Sequence, residues 1–202
     1  MEIYFVRHGE TNGNVARRHQ ANDTPLSSRG RKQAELAASI LKVYQPTHLI
    51  TSTMVRSVET ASIIGEECDL IPDTRSEFTE LERPSYLYGH KHRSLKSVWF
   101  YFRWYLGRTE KGESYEELRS RFREAQITLA TLESDARVVV VSHTVFITLF
   151  VAHLCRDKAL TPLQAVKAFY KIITMRNTHI EMLMYDPATR QGTCGWIVEK
   201  DA

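Results

Sequence analysis

The amino-acid sequence predicts an α/β fold of three layers, with a mostly parallel central sheet and helices on both faces. Three observations predict it. Short apolar runs alternate with longer amphipathic stretches along the chain. One run, Val138–Val141, is four consecutive valines, which suits a strand buried on both faces. Histidine and arginine recur directly after such runs, where parallel sheets place their ligand sites.

The elements follow in order. Ile3–Val6 is the first strand. A helix follows Ser27 or Ser28, with Ala34, Ala37, Leu41 and Tyr44 on one face. His48–Ile50 forms a short second strand, and Val55–Glu67 has helical character. Thr79 to Gly112 is irregular, broken by Pro84, Gly89 and Gly107. A long helix then runs from Ser114 to about Leu132, its buried stripe being Leu118, Phe122, Ala125, Leu129 and Leu132. Ser114, with Glu117 three residues on, gives that helix a capping-box start. Arg137–Val141 is the clearest strand and leads through Ser142-His143 into another helix. Pro162 suits the first turn of a further helix carrying Val166 and Phe169. His179–Tyr185 and Trp196–Val198 can close the sheet, whose strand order the sequence leaves open.

Composition narrows the class. The 202 residues, 43% hydrophobic and 25% charged, suit one domain over 1–202 with a sizeable core. A net charge of +3 is too small to call for a nucleic-acid partner. Cys68, Cys155 and Cys194 are widely spaced and odd in number, which argues against a disulfide framework or a zinc site. They are expected to be idle thiols in a reducing compartment. The first residues lack a signal-peptide pattern, and the apolar stretch Val145–Leu154 is too short and broken to span a bilayer. The expectation is a cytoplasmic protein without a membrane partner.

The chemistry lies at strand ends. The first strand exits into Arg7-His8-Gly9-Glu10-Thr11. Arg7 offers a fork of donors matched to phosphate oxygens, and Gly9 lets the backbone turn and approach a ligand. His8 is equipped to be a base, a metal ligand or a nucleophile. The second strand runs into Thr51-Ser52, with Arg56 at the start of the next helix. The valine strand runs into His143. If these strands are neighbours, two histidines and two arginines converge above the sheet.

Taken together, these blocks resemble the histidine phosphatase superfamily in its phosphoglycerate-mutase-like branch. The resemblance rests on Arg7-His8-Gly9-Glu10-Thr11 with Asn14, Leu26-Ser27-Ser28-Arg29-Gly30 with Gln33-Ala34, and Thr51 to Arg56 with Glu59-Thr60-Ala61. Phe78-Thr79-Glu80, Gly112-Glu113-Ser114, Ser142-His143 and Asn177 continue the same order. It implies that His8 attacks phosphorus and carries a phosphohistidine. Arg7, Arg56 and His143, the last as a cation, would hold the equatorial oxygens, and Glu80 would be the acid, with Glu82 its rival. Asn14, Glu113 and Thr144 join the candidates for phosphoryl contact or positioning. Thr144 stands where many relatives have glycine. No metal and no cofactor are expected.

Residues from His90 to Arg108 interleave basic and aromatic side chains, within an insertion at about 84–111. Leu95, Val98, Trp99, Phe102 and Leu106 form one helical face, and Tyr101, Trp104 and Tyr105 another. One face suffices to dock on the core. The second is expected to be more core, a homodimer contact, or a lid that receives the leaving group. The sequence thus predicts hydrolysis of a small-molecule phosphate ester. The alternatives are a phosphoglycerate mutase and a non-catalytic module that binds a phosphorylated ligand.

Overall fold

The computed structural model describes residues 1–109, 111–156, 158–186 and 194–198. Six strands form one sheet: β1 (Glu2–Arg7), β2 (His48–Thr51), β3 (Asp73–Thr74), β4 (Arg137–Ser142), β5 (Ile180–Tyr185) and β6 (Trp196–Val198). Their order is β3-β2-β4-β1-β5-β6. The first four are mutually parallel, and β5 and β6 close one edge antiparallel. Among the described residues seven α-helices accompany them: α1 (Asn12–Val15), α2 (Ser28–Lys42), α3 (Val55–Cys68), α4 (Leu95–Tyr105), α5 (Tyr115–Ala130), α6 (Thr144–His153) and α7 (Pro162–Thr174).

Strand alternation sorts the core into two layers. Ile3, Phe5, Val138 and Val140 face α5 and α6, where Leu118, Phe122, Phe146 and Phe150 pack with them. Tyr4, Val6, Val139 and Val141 face α2 and α3, against Ala38, Leu41, Ala61 and Ile64. Both faces of the central strands are therefore covered, as the valine run requires. Tyr44, expected on the α2 stripe, lies beyond the helix end and is exposed. Val166 and Phe169 of α7 are exposed as well. The Ser114–Glu117 capping box forms at the start of α5.

Two sequence expectations are corrected. Cys155 and Cys194 form a disulfide, with Cα atoms 5.2 Å apart, and only Cys68 is a free thiol. The pairing brings the end of α6 to the start of β6 across 39 residues, a distance in sequence that hides it. It also removes the cysteine-based argument for a reducing compartment.

Helix α4 docks by the face opposite to the one that looked sufficient. Ser97, Phe100 and Trp104 are buried, while Leu95, Val98, Trp99, Phe102 and Leu106 are exposed. Polar anchoring decides between two apolar faces here. Trp104 Nε1 donates to the Glu113 carbonyl at 3.0 Å, and the Tyr105 hydroxyl donates to the Leu160 carbonyl at 2.9 Å. The opposite face offers indole alone among its polar tips. Among the described residues no helix is long and apolar enough to cross a membrane.

Candidate active site

Sheet register brings the three strand exits together. In the pairing of β1 with β4, Arg7 lies opposite Ser142, and in that of β2 with β4, Thr51 lies opposite Val141. The residues that follow, His8, Ser52 and His143, therefore emerge side by side at the carboxyl edge of the sheet. The rings of His8 and His143 are 5.1 Å apart between centroids.

The loop after β1 is held from several sides. Gly9 N donates to Thr60 Oγ1 at 3.1 Å, and Thr60 in turn donates to the Arg56 carbonyl at 2.7 Å. A Cβ on Gly9 would lie 2.4 Å from the Gly30 carbonyl oxygen. Gly9 thus serves close packing against the start of α2. Asn177 Nδ2 donates to the His8 carbonyl at 3.3 Å and to Asn14 Oδ1 at 3.2 Å. Asn14 Oδ1 also accepts from Thr11 N, so this oxygen is committed and the amide nitrogen is the end left for a ligand.

His8 is buried and fixed in orientation. Its Nδ1 lies 2.7 Å from the Gly9 carbonyl, so the ring proton belongs on Nδ1 and the lone pair on Nε2. Arg56 Nε donates to that Nε2 at 3.2 Å. Burial, then the charges of Arg56 and Arg7, hold His8 well below the usual histidine range, against the opposing Gly9 bond. It is neutral, as a nucleophile must be.

Arg56 opens α3, with Nη1 donating to the Ala21 carbonyl at 3.0 Å and Nη2 lying 2.8 Å from Met54 Sδ. Arg7 donates through Nη1 to the Met175 carbonyl, and its Nε is buried without a partner. Burial lowers both guanidinium groups to about 10, the nearby Glu80 opposing, and both remain cationic at neutral pH.

His143 occupies the N-cap position of α6 but does not cap it. Its Nε2 lies 2.6 Å from Ser52 Oγ, which itself accepts from Met54 N at 3.4 Å. With the Ser52 hydroxyl donating to Nε2, the ring proton sits on Nδ1; the opposite tautomer places it on Nε2. That Nδ1 is buried and has no partner. Burial first, and then Arg56, His8, Arg83 and Arg7, hold His143 well below its usual range. These influences favour the neutral ring. Thr144, the first residue of α6, is buried beside it.

The cap that His143 does not provide comes from Glu80. Its Oε1 accepts from Phe146 N at 3.1 Å and Leu81 N at 3.0 Å, and its Oε2 from Val145 N at 3.4 Å. The orphan N–H groups of the α6 first turn thus fix a carboxyl group beside the two histidines. Glu80 is 7% exposed, whereas Glu82 lies on the surface.

Among the described residues Glu113 is bonded to Arg121 rather than to either histidine. Both its oxygens bind Arg121, at 2.7 Å each, and Oε2 also accepts from Glu82 N at 3.2 Å. Arg121 donates to the carbonyls of Glu77 and Thr79. Through Arg121 and Glu82 N, Glu113 is tied to the segment bearing Glu80. Gly112, at φ +79°, makes the turn that lets Glu113 N reach the Glu82 carbonyl at 2.9 Å.

Sequence reasoning passed over Ser52 as a partner of His143, and Arg83, whose Nη2 is 3.7 Å from Glu80 Oε2. Among the described residues no group of three His, Cys, Asp or Glu side chains is arranged to hold a metal ion.

Two histidines and one arginine at parallel strand ends, a second arginine at the start of α3 and a carboxyl group on the α6 terminus define a class, and the chain belongs to the histidine phosphatase superfamily (branch 1), whose family model matches residues 3–190. Among its relatives is a probable phosphoglycerate mutase of Proteus mirabilis, 36% identical over 152 residues that span 71% of this chain and 69% of the relative. One from Shigella boydii with the same name is 31% identical and spans 98% of this chain and 91% of the relative. A mycobacterial glucosyl-3-phosphoglycerate phosphatase, solved with VO3, shares the fold at a TM-score of 0.77, with 24% identity over 99% of this chain and 98% of that one.

Proposed function

We propose that the protein hydrolyses a small phosphate monoester through a phosphohistidine on His8. The observation that carries this reading is the paired bonding of the His8 ring. Nδ1 is held by the Gly9 carbonyl at 2.7 Å, and Nε2 is offered to Arg56 Nε at 3.2 Å. A neutral, oriented lone pair thus points into a site carrying two buried guanidinium groups and an unpartnered His143 nitrogen.

Each residue has a role in this scheme. Arg7, Arg56 and the Nδ1–H of His143 would bind the equatorial phosphoryl oxygens, and the amide of Asn14 would add a donor. Anionic oxygens would oppose the burial and the neighbouring cationic charges that keep His143 neutral. Nε2 of His8 attacks phosphorus as the ester P–O bond breaks, and the Glu80 carboxyl gives its proton to the departing alcohol oxygen. In the second half, Glu80 takes a proton from water while that water attacks phosphorus. The N–P bond breaks, phosphate leaves, and Glu80 is again protonated. Thr144 borders the cradle, and Glu113 acts through the placement of Glu80.

A second reading is favoured by the names of the relatives at 31–36% identity, each a probable phosphoglycerate mutase. A mutase uses the same first half-reaction but returns the phosphoryl group to an alcohol instead of water. One experiment addresses both. The protein is screened against phosphorylated metabolites, with inorganic phosphate and phosphoryl transfer products measured together. Phosphate release that His8→Ala abolishes supports the hydrolase. Isomeric phosphate ester without phosphate release favours the mutase, and undiminished turnover by His8→Ala overturns both.

A further inference from the structure

Helices α4 and α7 each carry two apolar faces, and the core covers only one of each. On α4, Phe100 and Trp104 are buried, while Leu95, Val98, Trp99, Phe102 and Leu106 stand outside. At 100° per residue those five fall within an arc of about 100°. Trp99 and Phe102 stack on each other there, 5.9 Å apart between centroids. On α7, Ala165, Ala168 and Ile172 pack on the core, while Leu163, Val166, Phe169, Tyr170 and Ile173 are exposed. Those five share an arc of about 120°. The bond from the Tyr105 hydroxyl to the Leu160 carbonyl joins the end of α4 to the chain entering α7. Apolar stripes of this size mark a surface that something else covers.

The charge around the stripes is one-sided. Residues 84–109 and 158–180 carry nine of the chain's 27 lysines and arginines and none of its 24 acidic side chains. The rest of the chain is therefore net negative, although the whole is +3. Lys171 is paired with Glu181. Lys91, Arg93, Lys96 and Arg108 are exposed along and beside α4, and Lys158, Lys167 and Arg176 along and beside α7.

Apolar side chains and cations together select the occupant. A second copy presenting the same patch would set these cations against their own images, since a two-fold interface is self-complementary. A nucleic acid would match the charge, but Leu95, Val98, Leu163, Val166 and Ile173 offer no ring on which a base can stack. An anionic bilayer satisfies both properties. Its acyl boundary takes the apolar side chains, and its phosphates take the flanking cations. We propose that the outer faces of α4 and α7 dock the protein on an anionic lipid surface. The expectation of no membrane partner came from the lack of a run long enough to span a bilayer, and a helix lying in the plane of the interface needs no such run. The docking surface is independent of the roles of His8 and Glu80.

The native protein is co-sedimented with vesicles of phosphatidylcholine alone and of phosphatidylcholine mixed with phosphatidylglycerol. Partition onto the mixed vesicles should be about 10- to 100-fold greater, and high salt should reduce it. Tryptophan emission should shift to the blue on binding, and Trp99→Phe should remove most of that shift while binding remains. Trp99→Ser with Phe169→Ser, and separately Lys96→Gln with Lys167→Gln, should each lower the partition about 10-fold. These side chains are exposed, so circular dichroism and turnover of p-nitrophenyl phosphate without vesicles should match the native protein. No partition, equal partition onto both vesicles, or partition that survives both double variants overturns the proposal. So does a dimer, seen by sedimentation velocity, that Trp99→Ser with Phe169→Ser dissociates, which would give the face to a second copy. Binding of single-stranded DNA through Lys96 and Lys167 without binding of vesicles would give it to a nucleic acid and equally overturn the proposal.

Discussion

The phosphate cradle and the wall beside it, residues 79–113, are built by opposite means. In the cradle, His8 and His143 are placed by backbone register, since β1 pairs with β4 residue by residue up to Arg7 and Ser142. A slip of one residue would turn every side chain of β1 to the other face. The wall has no strand to align it. Arg121 holds it through the Thr79 carbonyl, Trp104 pins α4 to Glu113 within it, and Gly89 N and His92 N donate to the carbonyls of His19 and Arg17. The difference teaches where each task can live. Chemistry that tolerates little displacement stands on rigid strand ends, and discrimination belongs to a segment whose sequence can change without disturbing the sheet.

The largest effect that would break this division is expected at Glu80, which belongs to the wall by sequence and to the cradle by its bonds to α6. Glu80→Gln should slow turnover of alkyl phosphates by about 10²- to 10⁴-fold. Formation of the phosphoenzyme from an aryl phosphate, followed as a burst of phenol, should hardly change. Glu82→Gln should leave both steps near the native rate. A reversed pattern would move the acid by two residues and detach it from the α6 terminus.

Stability sharpens the account of the wall. Trp104 is 6% exposed and Trp99 is 60% exposed on the same helix. Trp104→Ala should cost about 3–5 kcal/mol in urea unfolding. Trp99→Ala should stay within about 0.5 kcal/mol. Similar costs at the two positions would mean that the exposed face of α4 is covered in solution.

Acidification should act on both regions, with a smaller effect per group. His8 and His143 in the cradle have values lowered from 6.5, with burial the largest cause, and burial takes His19, whose Nε2 lies 2.9 Å from Ser97 Oγ of the wall, to about 3. The unfolded chain binds protons at these groups first, so their contribution is complete above pH 6.5 and shrinks as pH falls toward the folded values. The slope should be about 1.4 kcal/mol per pH unit for each buried histidine still neutral. Thermal unfolding between pH 7 and pH 5 measures it. A flat profile would show that these rings are not held neutral by the fold.

Much of this molecule was legible because its local signals agree. The strand runs, the capping box at Ser114 and Pro162 at the first turn of α7 stand where the sequence places them. So do the residues that follow β1, β2 and β4. What the sequence hid depends on partners far along the chain. Glu80 caps a helix that starts more than sixty residues later, because the N-cap position holds His143 instead of a capping side chain. The buried face of α4 could not be chosen from periodicity, since both faces are apolar and the anchors, the carbonyls of Glu113 and Leu160, belong to other elements. Gly9 looked like a ligand-approach glycine, and only the chain crossing at Gly30 shows what it makes room for. The Cys155–Cys194 pair was invisible for the same reason.

The central claim is that His8 carries the phosphoryl group. The most direct measurement is to mix the protein with a ³²P-labelled monoester, quench in alkali within the first turnover, and map the label by peptide mass spectrometry. A base-stable, acid-labile phosphoramidate on the His8 peptide, absent from His8→Ala and from the His143 peptide, is the predicted result. Normal turnover with no labelled histidine, or with the label on another residue, would contradict the account.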